Sequence, residues 1–343
     1  MSTKKKVVAL LVLSVFLIII GVGIGSVSIS PLNVLKIIFR SLLPAHFYES
    51  IPETNQAIVM AIRLPRVLTA FLCGGVLAMT GVIMQSSLKN PLASAYTIGV
   101  SSGATLCAAC TLFFATHPII KYISLPLAGS FGAILSVLLV LYFSHVADNS
   151  FSDNSIILIG MTFSLFVSAI LTILVSLNRE KLGNLLFWQM GNFAWHGWNG
   201  LAVIAPISLL AFLFLRHYAL EIDILTFGDE QAIALGVPAI SVKRNMLLVS
   251  SAITGIVVSF VGIIGFVDLI APHVIRKFFG SEHRIVLPLS FLFGGCLMCA
   301  CDLIARTLLS PIELAVGAIT AILGAPFFAY LYFFAPNKKK HIR

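Results

Sequence analysis

Long apolar runs separated by short polar breaks dominate the chain. Each run is close to the roughly 20 residues an α-helix needs to cross a hydrocarbon core. The pattern predicts ten such segments, at about 7–26, 66–87, 96–116, 123–145, 154–177, 200–217, 245–264, 266–278, 285–305 and 313–334. The eighth is the shortest. Its stretch from Gly265 to Pro272 reads as a broken or partial helix, which membrane depth tolerates only where protein or a cavity shields the backbone. The second run opens on Leu64-Pro65 between Arg63 and Arg66, carries Gly74, Gly75 and Gly81, stops at Lys89-Asn-Pro and restarts into Gly99 and Gly103. In water each glycine would weaken a helix by about 1 kcal/mol; in lipid, small residues let helices pack closely. Two polar stretches interrupt the pattern. One is the short acidic His145–Ser155; the other is His217–Arg244, where Phe227–Val237 has the periodicity of a short amphipathic helix closed by a glycine.

Composition fits this reading. Of 343 residues 59% are hydrophobic and 10% charged, and the mean hydropathy is +1.04. A globular domain carries about 25% charged residues, so this chain lacks the polar surface for water. The expectation is an all-α integral membrane protein forming a single polytopic domain over 1–343. Lys4–Lys6 followed by Val7–Ile24 resembles a signal peptide. Its apolar core exceeds the roughly 7–15 residues of such a segment and no small-residue cleavage site follows, so it reads as a retained first span.

The net charge of +9 follows from topology rather than nucleic-acid binding, for which no motif is present. With both termini cytoplasmic (N-in, C-in), fourteen of the 22 basic residues lie inside: Lys4, Lys5, Lys6, Lys89, Arg216, Lys243, Arg244, Arg276, Lys277, Arg284, Lys338, Lys339, Lys340 and Arg343. Eight lie outside: Lys36, Arg40, Arg63, Arg66, Lys121, Arg179, Lys181 and Arg306. Trp188, Trp195 and Trp198 cluster where an interfacial aromatic belt would place them. Segments two to five and seven to ten form two groups of opposite orientation, the pattern of an inverted repeat. The six cysteines, Cys73, Cys107, Cys110, Cys296, Cys299 and Cys301, all sit in apolar runs and read as packing residues rather than metal ligands.

No Walker A sequence, His-Glu-x-x-His or Gly-x-Ser-x-Gly is present, so neither a nucleotide site nor a catalytic centre is expected in the chain. Instead Arg63-Leu-Pro-Arg66, Gly74, Gly81, Gln85, Asn90-Pro-Leu-Ala93 and Gly99-x3-Gly103 resemble the first signature of the FecCD family of ABC importer permeases. Gly228-Asp229-Glu230, Ala232 and Leu235-Gly236 are similar to that family's ATPase-coupling loop, placed here at about 217–244. The stretch from Gly265 through His273 to Arg276, Asp302 with Arg306, Glu313 with Gly317, and Gly324 to Phe328 match its later motifs in order.

The resemblance implies a bacterial or archaeal inner-membrane permease that moves a metal chelate inward: a ferric siderophore first, haem or a corrinoid as alternatives. Its partners would be a second permease copy, cytoplasmic ATPase subunits that hold ATP and Mg, an extracytoplasmic substrate-binding protein and membrane lipids. The chain itself would carry no cofactor and bind no metal. Arg63, Arg66 and Arg306 would receive acidic residues of the binding protein, with Asp302, one turn before Arg306, a competing partner. Ala147, Asp148, Asn149, Ser150 and Asp153 are gate candidates by position. Asp268 departs from the family, which usually has glycine there. It would pair with His273 or Arg276, or hydrogen-bond while protonated. An ion-coupled secondary transporter using Asp268 and Asp302 is the alternative.

Overall fold

The computed structural model describes residues 3–25, 27–39, 51–114, 118–148, 151–193 and 197–334, and among them the regular structure is helical without a strand. In chain order the helices are α1 (Thr3–Gly23), α2 (Pro31–Ile38), α3 (Glu53–Ala57), α4 (Leu64–Ser87), α5 (Val100–Phe114), α6 (Pro118–Ala147), α7 (Asp153–Leu177), α8 (Leu182–Gln189), α9 (Gly197–His217), α10 (Ala219–Leu225), α11 (Asp229–Ala234), α12 (Ala239–Val261), α13 (Val267–Phe279), α14 (His283–Thr307) and α15 (Val316–Phe334). Each of the ten expected segments overlaps one of these helices, with ends that differ by up to several residues. Among the described residues seven spans are long and apolar enough to cross a bilayer: six are α1, α6, α7, α9, α12 and α14, and the seventh runs from α3 through α4. The other three expected spans are shorter, with α5 at 15 residues, α13 at 13 and α15 at 19. Trp195, Asn149 and Ser150 lie outside the described residues, as do the basic positions Arg40, Lys338, Lys339, Lys340 and Arg343.

The central element is α4, which packs against α14, α9, α13 and α12. Of its apolar window 83% is buried, against 17% for α7. Its glycines make this possible. A Cβ on Gly74 would strike the Gly294 carbonyl of α14, and one on Gly81 would strike the Asp268 carbonyl of α13. Leu64-Pro65 does not break the helix as its sequence suggests. Residues 58–63 form a π-helical stretch just before it, in which the Leu64 N–H reaches back five residues to Val59. That wider turn absorbs the proline, so the helical track runs unbroken from Glu53 to Ser87.

The expected break near Gly265 is real and lies slightly earlier. α12 ends at Gly262 (φ 79°), and α13 starts after Phe266, which adopts φ 69°. The backbone polar groups freed there are satisfied by protein: the Asn192 N–H donates to Val261, Ile263 to Gln189, Val316 to Gly191 and Gly317 to Met190. Non-helical backbone is therefore shielded by other protein, as membrane depth requires. Trp188 departs from the expected belt. It packs against two of the buried apolar clusters, whereas Trp198 is exposed and donates its indole N–H to the Met60 carbonyl at 2.8 Å.

Polar side chains separate to two ends of the bundle. At one end Lys6 reaches the Phe278 carbonyl, His283 meets Asp223, and Lys89 meets Asp229. At the other, Arg63, Arg66 and Arg306 gather with Asp302 and Glu313. Every residue in the first set that carries a basic charge was assigned inside by the charge count, and every arginine of the second outside.

Candidate functional site

α11 stands at the N-terminal end of the bundle. Gly228 (φ 125°) starts it and Gly236 (φ 83°) follows its last turn, both backbone conformations that suit glycine. Ala232 is fully buried and anchors the helix inward. Facing out are Phe227, Ile233 and Leu235, which are 74%, 59% and 67% exposed, with Glu230 beside them. The sequence motif contains Leu235 and Glu230. It passes over Phe227 and Ile233, which only their position on the outer face of this short helix reveals.

Asp229, in the first turn of α11, does not face outward with Glu230. Lys89, two residues beyond the end of α4, approaches it at 2.7 Å and Asp153 of α7 at 3.8 Å. Lys243 of α12 lies against Asp153 and 3.6 Å from Asp229, and donates to the Phe151 carbonyl at 2.9 Å. Burial works against the Asp229 charge, but the two lysines outweigh it and hold its carboxyl below the usual carboxylate range. The structure thus joins one coupling candidate, Asp229, to one gate candidate, Asp153. Ala147 ends α6, and Asp148 accepts from the Ser155 hydroxyl at 3.5 Å. Lys89 and Lys243 were read from sequence only as topology markers, because Asp153 lies 64 and 90 positions from them and Asp229 is 140 from Lys89. Even the 14 positions between Asp229 and Lys243 cross from one helix to the next.

A second polar strand runs inward from α10. Asp223 accepts from the His283 backbone N–H at 3.1 Å and meets its Nδ1 at 2.5 Å, while the Nε2 meets the Ser86 hydroxyl at 2.6 Å. Arg276 donates to that hydroxyl at 3.2 Å and also to the Gln85 side chain. Gln85 in turn donates to the Asp268 backbone carbonyl at 3.2 Å. The Asp268 carboxylate is buried and takes the Ser94 hydroxyl, so neither His273 nor Arg276 is its hydrogen-bonding partner. His273 sits edge-on to Phe327 instead, 6.0 Å between ring centroids. The reason is geometric: Arg276 lies two turns further along α13 and is drawn to the C-terminal turn of α4.

At the opposite end the three arginines are not presented outward. Arg63, Arg66 and Arg306 are only 5–7% exposed. Arg63 donates to the carbonyls of Val22 (3.2 Å), Gly23 (2.9 Å) and Val27 (2.5 Å), and Arg306 donates to that of Gly21. Together they satisfy the orphan carbonyls that close α1. Arg66 is shared between Asp302, at 2.9 Å, and Glu313, at 3.0 Å. Asp302 also keeps the expected i,i+4 contact to Arg306, at 3.4 Å. Asp302 is thus flanked by two arginines, its Oδ1 bonded by Arg66 and its Oδ2 3.4 Å from Arg306.

The least buried span is α7, with 17% of its apolar window buried. Asn154, Thr162, Ser168, Ala169, Thr172 and Ser176 are all exposed. These small residues alternate with exposed Leu158, Met161, Leu165, Phe166, Ile173 and Leu177. The hydroxyls of Thr162, Thr172 and Ser176 bond carbonyls four residues back, so the face is mixed and its polar groups are satisfied within the helix.

A many-helix bundle whose described residues include seven spans long and apolar enough to cross a bilayer, an exposed apolar knob at one end and one largely unpacked span, α7, is a multi-pass membrane protein. Its likeness to known permeases makes it a transport subunit rather than an enzyme. The chain belongs to the FecCD transport family, whose model matches residues 11–334. It is 37% identical to the uncharacterized ABC transporter permease protein YvrB of Bacillus subtilis, over 92% of this chain and 89% of that one. It is 36% identical to the cobalamin import system permease protein BtuC of Halobacterium salinarum, over 82% and 74%. A solved structure titled as an inward-facing metal-chelate type ABC transporter superposes with a TM-score of 0.82 at 31% identity, over 96% of this chain and 99% of that one. The protein is accordingly a permease of a metal-chelate-type ABC importer.

Proposed function

We propose that this chain imports a metal chelate, a ferric siderophore first with haem and corrinoids as alternatives, using ATP hydrolysed by a separate cytoplasmic subunit. The observation that carries the reading is the knob of α11. Phe227, Ile233 and Leu235 stand in water at the end of the bundle bearing most of the paired lysines, where the positive-inside rule puts the cytoplasm. Apolar side chains held out on a rigid, glycine-bounded helix fit a groove on another protein. The coupling residues then divide: Gly228, Gly236 and Ala232 shape and seat the helix, Leu235 and Glu230 meet the ATPase, and Asp229 ties the helix inward.

Two copies would enclose the path, each contributing the exposed face of α7, the least packed of the spans. ATP-driven closure of the motor moves α11 and shifts the population between outward- and inward-open states. The loop of Ala147, Asp148, Asn149, Ser150 and Asp153 closes the inner end, a role supported by Asp153, which shares Lys89 and Lys243 with Asp229 of α11. A binding protein docks at the arginine end. There its acidic residue reaches Arg66 by replacing Glu313, while Arg63 and Arg306 hold α1 in place. Asp268, bonded to Ser94, fixes α13 against the 90–99 turn.

Replacing Ile233 and Leu235 together by aspartate tests the motor contact. We expect the ATPase subunit to be lost from the purified complex while permease abundance in the membrane is unchanged. Full recovery of the complex would refute α11 as the contact.

A further inference from the structure

The four charges around Asp229 alternate in sign and come from four different elements. Lys89 follows α4, Asp153 opens α7, Asp229 opens α11, and Lys243 lies in the second turn of α12. Each ammonium lies within 4 Å of both carboxylates. The two acids sit in the first turns of their helices, where the helix dipole also favours them. Outside this cluster the two helices have different neighbours: α7 packs against α5 and α6, whereas α11 packs against α10 and α12. Lys243 is 2% exposed, so it cannot trade either acid for water. A buried ammonium stranded without its partner costs far more than the pair itself contributes. Its further bond to the Phe151 carbonyl ties the same ammonium to the segment just before α7. Displacing α11 alone would therefore open both of the lysine contacts that Asp229 shares with the first turn of α7, whereas moving the two together keeps all four charges paired.

We propose that Lys89 and Lys243, with Asp153 and Asp229, form a transmission joint that turns motion of the coupling helix into motion of α7. The proposal rests on α11 being the motor contact and adds what that contact moves. The four are positioning residues; none touches cargo.

The test uses the complete complex of permease, ATPase and binding protein in proteoliposomes. Thr172→Cys on the exposed face of α7 is the reporter, in a background with Cys107 and Cys110 replaced by serine. Its labelling rate by a hydrophilic maleimide is read without nucleotide and after trapping with MgATP and vanadate. With the joint intact, trapping changes the rate. Lys89→Met and Asp229→Asn each shrink that change by about fivefold or more, in line with ordinary coupling strengths. ATPase retention and basal hydrolysis stay intact. The double variant shrinks the change no further, because both residues act through one joint. Buried Lys243 is left in place so that folding is not at issue. The proposal is overturned by an undiminished response in the single variants, or by losses that multiply in the double. Loss of the ATPase subunit from Lys89→Met or Asp229→Asn would also overturn it, by moving these residues into the motor contact. The Ile233/Leu235 experiment, read separately, decides whether α11 is that contact at all.

Discussion

Arg66 is the side chain on which the outer end turns. It is held between Asp302, which is buried, and Glu313, whose side chain is 41% exposed. Those two bonds differ in consequence. Arg66→Met would leave Asp302 with Arg306 alone and cost about 3–5 kcal/mol, the usual penalty for stranding a buried charge. Glu313→Gln would cost about 1 kcal/mol or less, as for exposed ion pairs. Thermal unfolding in detergent compares them: a much lower midpoint for Arg66→Met than for Glu313→Gln is expected, and equal midpoints would contradict the assignment. The sequence showed these arginines as a charge excess on the wrong side and suggested an external partner. Within the chain Arg306 keeps the local i,i+4 contact to Asp302 that the sequence offered, whereas the carbonyls at the end of α1 and the acids 236 and 247 positions from Arg66 are partners no local pattern encodes. Gly74 and Gly81 were legible because close helix contact demands small residues wherever the neighbour comes from. Asp268 was legible as an anomaly, but its Ser94 partner lies on a turn 174 positions earlier.

Among the elements, α4 and α7 mark the two extremes. Buried on all sides, α4 has no room for added volume; α7 has almost nothing against its outer face. Gly74→Val should destabilise the fold by about 1–3 kcal/mol through overpacking against α14. Thr172→Trp should leave the unfolding midpoint nearly unchanged, within about 0.5 kcal/mol as for other exposed sites, while sharply reducing uptake by filling the path. Normal uptake by Thr172→Trp would remove α7 from the path. Helix existence was readable from hydropathy over all ten segments because the bilayer imposes length and apolarity. Boundaries were less so. The π-helical stretch at Ile58–Arg63 and the packed irregular backbone at 262–266 depend on contacts made across the bundle. The extra helices α2, α8 and α10 are too short for a spanning pattern to reveal.

At the scale of the whole molecule, the separation of charge into two ends gives the bundle a direction. One end carries an apolar knob tied by Lys89 and Lys243 to the first turn of α7. The other is a closed lattice of arginines and acids around the end of α1. In the proposed cycle, force applied at the knob would have a route into the bundle, and the far end would hold its geometry while a binding protein docks. The claim that motion at α11 drives transport is tested most directly by uptake in proteoliposomes holding the permease and binding protein, with and without the ATPase subunit, at collapsed ion gradients. Ferrichrome, haemin and cyanocobalamin are offered separately. The account predicts inward transport of one of these chelates only when the ATPase and MgATP are both present. Uptake of the same chelate by the permease alone, or uptake that requires an ion gradient in place of ATP, would contradict it.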